Sequence, residues 1–225
     1  HEGCIPALAN LSSSQNLLDT VFLHNPSLDN PGRLLPQMEV QVPEGLLSLP
    51  RLLERVSTLS QVVEVDYFIP GCPPESHQIW NVVEAILSGL PLPPRGSALG
   101  AGSTSVCEEC ARQKGEKKVE RFYRTFEMVP DPVQWFMEQG LVCMGIATRN
   151  GCGALCPTVN MPCTGCHGSP EGVSDQGAKM VAALGSILDM PEMPGSSAAE
   201  RLERMDAAWA TIPDPAGTFY KFSMA

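Results

Sequence analysis

Positive charge is scarce in this sequence, which has 15 Lys and Arg residues against 25 Asp and Glu residues. The formal net charge is −10, which argues against the clustered basic surface that nucleic-acid phosphates require. Long apolar runs are missing as well, because no stretch approaches the roughly 18–20 residues of a membrane helix. We therefore expect no nucleic-acid partner and no membrane span.

Disulfide chemistry is also not indicated, although nine cysteines are present. The count is odd, the chain has 225 residues, and two CxxC pairs occur, none of which is typical of a small secreted disulfide framework. We interpret the cysteines as reduced thiolates that bind metal. Seven of the nine fall between residues 107 and 166; the full set is Cys4, Cys72, Cys107, Cys110, Cys143, Cys152, Cys156, Cys163 and Cys166.

The first part of the chain has an α/β pattern. Apolar spacing predicts a helix over residues 47–59, a β-branched run predicts a strand over 62–69, and a second helix is predicted over 75–87. A strand, a Gly/Pro turn and a helix form the βα unit of a parallel sheet, and ligands bind at the carboxyl ends of such strands. Cys72 lies at that end.

The second part of the chain is irregular. Residues 89–105 are rich in Pro, Gly and Ser and are predicted to be a linker. Helices are predicted over 175–188 and 198–208, but weak apolar periodicity predicts little core in the cysteine-rich segment. We place the domain boundary between residues 1–96 and 97–225.

The cysteine spacing admits two kinds of metal site. A four-iron cluster needs four converging thiolates, and CxxC pairs supply two at once. The same CxxC…CxxC pattern is a signature of a Cys4 zinc site. Here the pairs Cys107/Cys110 and Cys163/Cys166 enclose three further cysteines, which is more than one zinc ion takes. Spacing favours clusters and leaves zinc open.

Several segments resemble the small subunit of nickel-iron hydrogenases. The segment at 65–74 (VDYFIPGCPP) resembles the proximal-cluster motif that this family shares with a subunit of respiratory complex I. Further segments resemble the hydrogenases alone and are similar to the cytoplasmic, methyl-viologen-reducing type; these are 3–10 (GCIPALAN), 140–152 (GLVCMGIATRNGC), 162–166 (PCTGC), 175–179 (DQGAK) and 214–220 (DPAGTFY).

The resemblance implies a fold and a set of ligands. The fold is a flavodoxin-like parallel-sheet domain that holds a proximal 4Fe-4S cluster, followed by an irregular domain with few short helices that holds a medial and a distal cluster. By position, Cys72 matches the last proximal ligand. The distal group comprises Cys107, Cys110 and Cys143. The medial group comprises Cys152, Cys156, Cys163 and Cys166, where Cys156 as a fourth ligand makes the cluster 4Fe-4S rather than 3Fe-4S.

Three departures from the family pattern matter. The N-terminal CxxC and third proximal cysteine of the family are absent, so we expect the sequence to begin partway through the first domain. Cys4 stands where a glycine is usual, and its role is open. The relatives carry a cysteine near the position of Trp135, and this chain lacks it, so only three cysteines are assigned to the distal site. The site would then hold a 3Fe cluster, take an oxygen ligand such as Asp131 or Glu138, or use a cysteine assigned to another group.

The function implied by the resemblance is electron transfer. A large partner subunit would hold the nickel-iron centre and activate hydrogen, so no catalytic residue is expected in this chain. The acceptor would be a downstream flavin or ferredoxin-like subunit, as in heterodisulfide-reductase-linked complexes, and the location would be cytoplasmic. A zinc-stabilised interaction module and a complex-I-like subunit are the alternatives.

Overall fold

The computed structural model describes residues 8–89, 91–189 and 195–223. The chain divides into two compact units between Glu64 and Val65. This division lies upstream of the predicted boundary at residue 96, because a parallel strand pair joins the segment after residue 65 to residues 97 and 98. Cys4 lies outside the described residues.

The first unit contains short helices and one hairpin. Helix α1 (Ser14–Leu18) continues into a π-helical turn (Asp19–Leu23), strand β1 (Glu39–Val42) pairs antiparallel with β2 (Gly45–Ser48), and α2 spans Leu59–Val62. The predicted helix over 47–59 is wrong. Pro50 explains the difference, because proline lacks the N–H of a helix interior and favours an extended conformation in the preceding residue.

The second unit begins with a small βαβ arrangement. Strand β3 (Tyr67–Phe68) pairs parallel with β4 (Ser97–Ala98), and α3 (Ser76–Leu87) lies between them in sequence. The predicted second helix is confirmed, with Glu75 as its N-cap in a capping box. The predicted strand over 62–69 is reduced to two residues, since its first residue ends α2. A flavodoxin-like domain stays a prediction.

The remainder of the second unit is mostly loops and single turns. Three 3-10 turns span Val106–Glu108, Met137–Gln139 and Met144–Ala147. Four helices follow: α4 (Leu155–Thr158), α5 (Gln176–Ile187), α6 (Ala198–Ala210) and α7 (Pro215–Tyr220). The predicted helices over 175–188 and 198–208 are confirmed by α5 and α6. Within the described ranges, none of the helices combines the length and apolar character needed to cross a bilayer.

A hydrophobic core lies inside the irregular segment, so the expectation of little core there is wrong. Helix α5 contacts two of the 3-10 turns and α7. Its buried residues Met180 and Leu184 belong to one cluster with Phe136, Met137 and other apolar side chains of the loops. The loops thus fold around one amphipathic helix, and this buries their apolar residues although those residues have no helical periodicity.

Gly140 provides a test of this packing. It ends the Met137–Gln139 turn with φ +79, and a Cβ there would lie 2.8 Å from Tyr123 Cδ2 and 2.9 Å from the Arg121 carbonyl oxygen. We expect G140A to lower the free energy of unfolding by more than about 1 kcal/mol, through steric and conformational cost. Denaturant titration measures this loss.

The matched control is G172A. Gly172 has φ +75, and nothing lies within 4 Å of its added Cβ, so only the conformational cost applies. Equal losses in G140A and G172A would contradict the steric account of Gly140.

Candidate metal centre

All eight described cysteines lie in the second unit as free thiols. They occupy loops and single turns rather than long elements, which lets residues from distant parts of the sequence converge. Cys143 and Cys163 are buried, Cys72 is exposed, and the others are half-buried; these are Cys107, Cys110, Cys152, Cys156 and Cys166.

The distal group converges around Gly145. A Cβ at this glycine would lie 3.6 Å from Cys107 Sγ and 3.6 Å from Cys143 Sγ, so the missing side chain leaves space beside both sulfurs. Cys110 interacts electrostatically with both of these cysteines. The three predicted distal ligands are therefore brought together.

Three cysteines of the medial group lie close to one another, and the fourth also contacts the distal group. Cys152, Cys156 and Cys166 are close enough for their charges to interact. Cys163 interacts with Cys166 but also lies against the distal group, where its backbone N–H donates to Cys143 Sγ at 3.3 Å. The CxxC pair thus presents one thiol to the distal group and the other to the rest of the medial group.

Cys72 adjoins the medial group at Cys166. Its backbone N–H donates a hydrogen bond to the Cys166 sulfur, and the two thiols interact electrostatically. The thiols therefore follow one spatial order: Cys72, then Cys166 and Cys163, then Cys143. How the cysteines are shared among clusters stays a prediction.

Burial and mutual repulsion raise the pKa values of these thiols. Burial, followed by the charges of Cys143 and Cys110, raises the pKa of Cys107 to about 11. Burial, followed by the charge of Cys143, raises the pKa of Cys163 to about 12. Burial likewise raises the pKa values of Cys143, Cys156 and Cys166. Since thiolates are the metal-binding form, binding of a metal by these thiols would release protons.

Trp135 and the two suggested oxygen ligands of the distal site, Asp131 and Glu138, differ in their surroundings. The buried Trp135 side chain hydrogen-bonds the Cys107 thiol. The exposed Asp131 carboxylate accepts the N–H groups of Val133 at 2.7 Å and Gln134 at 3.2 Å, and these bonds lower its pKa. The buried Glu138 side chain lines, with Trp135, a cavity of about 470 Å³.

A single-ion site is not preformed in the described part of the chain. There, no three His, Cys, Asp or Glu side chains form a group that could hold one metal ion.

Glu109 joins the distal CxxC to the medial group. Its carboxylate accepts the backbone N–H groups of Gly151 at 2.9 Å and Gly153 at 3.0 Å, on either side of Cys152. The sequence alone gives Glu109 no role, because a glutamate between two cysteines is typical of a solvated turn. The sequence signal for this contact is the pair of glycines that flank Cys152, since their N–H groups are the ones that Glu109 accepts.

A buried polar network supports the same loops. The Gln176 amide donates to the carbonyl oxygen of Gly165 at 3.1 Å and to Thr148 Oγ1 at 3.3 Å. The Thr148 hydroxyl donates to the Met144 carbonyl oxygen at 2.6 Å. The first residue of α5 therefore fixes both the turn after Cys143 and the loop between the last two cysteines. Gln and Thr have no ligand signature, and sequence reasoning missed them.

The raised thiol pKa values predict a pH dependence of the metal-free fold. A thiol whose pKa rises on folding from its ordinary 9.0 contributes stability that is fully present below about pH 9 and is lost as the pH rises towards about 11 for Cys107 and about 12 for Cys163. We expect the free energy of unfolding to fall over this interval, in anaerobic urea titrations at about pH 8 and about pH 11.

Two serine variants separate this effect from general alkaline unfolding. C107S removes a titrating buried thiol and should show a smaller fall between the two pH values. C72S removes an exposed thiol and only one of several charges that act on Cys166, so its fall should lie closer to that of the unaltered chain than the fall in C107S does. An equal fall in C107S and C72S contradicts the assignment.

Comparison with curated proteins finds hydrogenase subunits, whereas no protein-family model matches. The iron-sulfur G-type subunit of the F420-non-reducing hydrogenase from Archaeoglobus profundus is 40% identical over 191 residues, which cover 83% of this chain and 59% of the relative. The G-type subunit of the F420-non-reducing hydrogenase from Methanothermobacter marburgensis is 34% identical over 225 residues, which cover 99% and 66%. The chain thus spans less than two thirds of these relatives.

A third relative is matched over most of its own length. The corresponding G-type subunit from Methanothermus fervidus is 38% identical over 120 residues, which cover 52% of this chain and 89% of the relative. The expectation of a hydrogenase subunit is supported by all three. This chain belongs to the family of G-type subunits of F420-non-reducing hydrogenases.

Proposed function

We propose that this chain is the electron-relay small subunit of a nickel-iron hydrogenase of the cytoplasmic, methyl-viologen-reducing type. The observation that carries the proposal is the spatial order of the thiols. Cys72 lies beside Cys166, and Cys163 lies beside Cys143. A relay needs its centres in series, and this order runs from the proximal ligand through the medial group to the distal group.

The chemistry of the residues fits iron–sulfur clusters. The donors are soft thiolates, which suit iron–sulfur clusters and zinc better than hard cations. Two buried nitrogen atoms beside the thiols, Arg112 Nε and His167 Nδ1, have no hydrogen-bond partner in the described structure. Cluster sulfurs accept hydrogen bonds, so such nitrogens suit a cluster site when they carry a proton.

In this proposal the ligands are those that the sequence predicts. Cys107, Cys110 and Cys143 hold the distal cluster, and Cys72 is the last ligand of the proximal cluster. Four cysteines hold the medial cluster: Cys152, Cys156, Cys163 and Cys166. Bound iron–sulfur clusters supply one-electron redox chemistry, with potentials that depend on hydrogen bonds, charge and solvent exposure.

The task of the protein is to position the centres and exclude water. Burial of Cys143 and Cys163 keeps solvent from the passage between the medial and distal groups. The backbone N–H groups of Cys163 and Cys72 donate to the sulfurs of Cys143 and Cys166, where they stabilise negative charge. No nucleophile or general acid is required.

The partners in the proposal are those that the sequence resemblance implies. A large subunit holds the nickel-iron centre and exchanges electrons near Cys72. A flavin or ferredoxin-like subunit, of the heterodisulfide-reductase-linked kind, accepts electrons beyond the distal group. The name of the Archaeoglobus relative contains the term iron-sulfur, which supports the cofactor assignment.

A metal and sulfide count tests the proposal against a zinc-stabilised module. The complex that contains this chain, purified without oxygen, should be brown, bleach with dithionite, and contain iron and acid-labile sulfide. Copurification of a nickel-containing large subunit distinguishes it from a complex-I-like subunit. Zinc without iron or sulfide would show that the proposal is wrong.

Single cysteine variants test the division into groups. C110S should weaken the EPR signal of the distal centre and leave the medial signal, while C152S should do the reverse, because each removes a ligand from one group. C4S is the matched control, since the proposal gives Cys4 no ligand role, and it should retain both signals. Loss of the same signal in C110S and C152S contradicts two separate centres.

A further inference from the structure

Arg112 is held rigidly two residues after Cys110. Its guanidinium carbon lies 3.6 Å from the centroid of the Phe136 ring, a cation–π contact. Nη1 donates to the carbonyl oxygens of Asp131 at 2.6 Å and Gln134 at 2.8 Å, and Nη2 donates to the Asn160 side chain. The guanidinium is therefore fixed from one face and from its outer nitrogens.

The remaining nitrogen of Arg112 is buried beside the distal group. Nε has no hydrogen-bond partner in the described structure, although it lies out of contact with solvent. The charge of the guanidinium interacts with Cys110 and Cys143. A buried donor without a partner costs about 1–3 kcal/mol, so a fold that fixes one here is expected to supply an acceptor.

We propose that Arg112 sets the reduction potential of the distal centre by placing its charge, and the hydrogen bond of its Nε–H, on a sulfur beside Cys110 and Cys143. This inference rests on the proposed function, because it requires a cluster at the distal group. Arg112 is not a ligand, and it remains protonated throughout, as arginine does in proteins.

The direction of the effect follows from charge. Reduction adds one electron to the distal centre, and a fixed positive charge stabilises the more negative, reduced form. Hydrogen bonds to sulfur act in the same sense. Arg112 therefore raises the potential of the distal centre relative to the medial centre, which favours electron transfer towards the outer end of the relay.

The test is a redox titration of the complex, followed by EPR, with R112Q. This variant keeps much of the side-chain length and an N–H donor at the ε position, but it removes the positive charge. We expect the reduction equilibrium of the distal centre to shift at least tenfold towards the oxidised form, which is about 59 mV for a one-electron couple. The medial centre should retain its potential, so it serves as an internal reference.

R121Q is the matched control. Arg121 also stacks on an aromatic ring, with its guanidinium 4.5 Å from the Tyr123 centroid, and it pairs with Glu127 at 3.1 Å. Its charge does not contribute to the raised pKa values of Cys107 and Cys143. R121Q should leave both potentials unchanged.

R112K separates a redox role from a structural one. Lysine retains the positive charge but lacks Nε, so the distal potential should fall by less than in R112Q. An unchanged distal potential in R112Q with full iron, or an equal shift of both centres, overturns the proposal. If neither variant retains the distal centre, Arg112 is needed for assembly and the potential-setting role is rejected.

The outcome also distinguishes this inference from the proposed function. If the unaltered complex contains no iron or sulfide, the proposed function fails and the inference fails with it. If iron, sulfide and two EPR signals are present but R112Q titrates like the unaltered complex, only the role of Arg112 is wrong.

Discussion

The arrangement of the second unit depends on the cost of crowding thiols inside a protein. Burial alone disfavours a thiolate, and each neighbouring thiolate disfavours it further, which is why the pKa values of Cys107 and Cys163 rise to about 11 and about 12. Protonated thiols tolerate this site, whereas thiolates require compensating positive charge. The same crowding therefore keeps the thiols protonated in the metal-free chain, and in the proposed function it supplies the thiolate ligands of a cluster.

Hydrophobic packing positions the loops that bring the thiols together. Helix α5 buries Met180 and Leu184 in the cluster that also contains Phe136, and its first residue, Gln176, reaches the loops that carry cysteines. One helix thus joins the apolar core to the polar network around the site. The loops at Thr148 and Gly165 need no regular structure of their own, because the Gln176 side chain holds both by hydrogen bonds.

Structure that depends on neighbouring residues, such as a helix, could be predicted from the sequence. Contacts between segments that are distant in the sequence could not. Helices α5 and α6 are predictable from apolar periodicity and caps, while the predicted helix over 47–59 neglected Pro50. The number and spacing of the cysteines predict thiolate chemistry, and this stays a prediction. The spatial order of the cysteines could not be predicted from the sequence, because loop conformation sets it. Arg112 was missed since its partners are mostly backbone carbonyl oxygens, 19 and 22 residues away.

The carboxylate of Glu109 links two parts of the site by hydrogen bonds. It lies within the distal CxxC yet accepts two backbone N–H groups on either side of Cys152, at 2.9 and 3.0 Å. Because tunnelling between redox centres weakens with separation, the spacing of the groups would govern the rate of transfer in the proposed relay. By holding the two loops together, the Glu109 carboxylate would help to fix the distance that an electron crosses in the proposed relay.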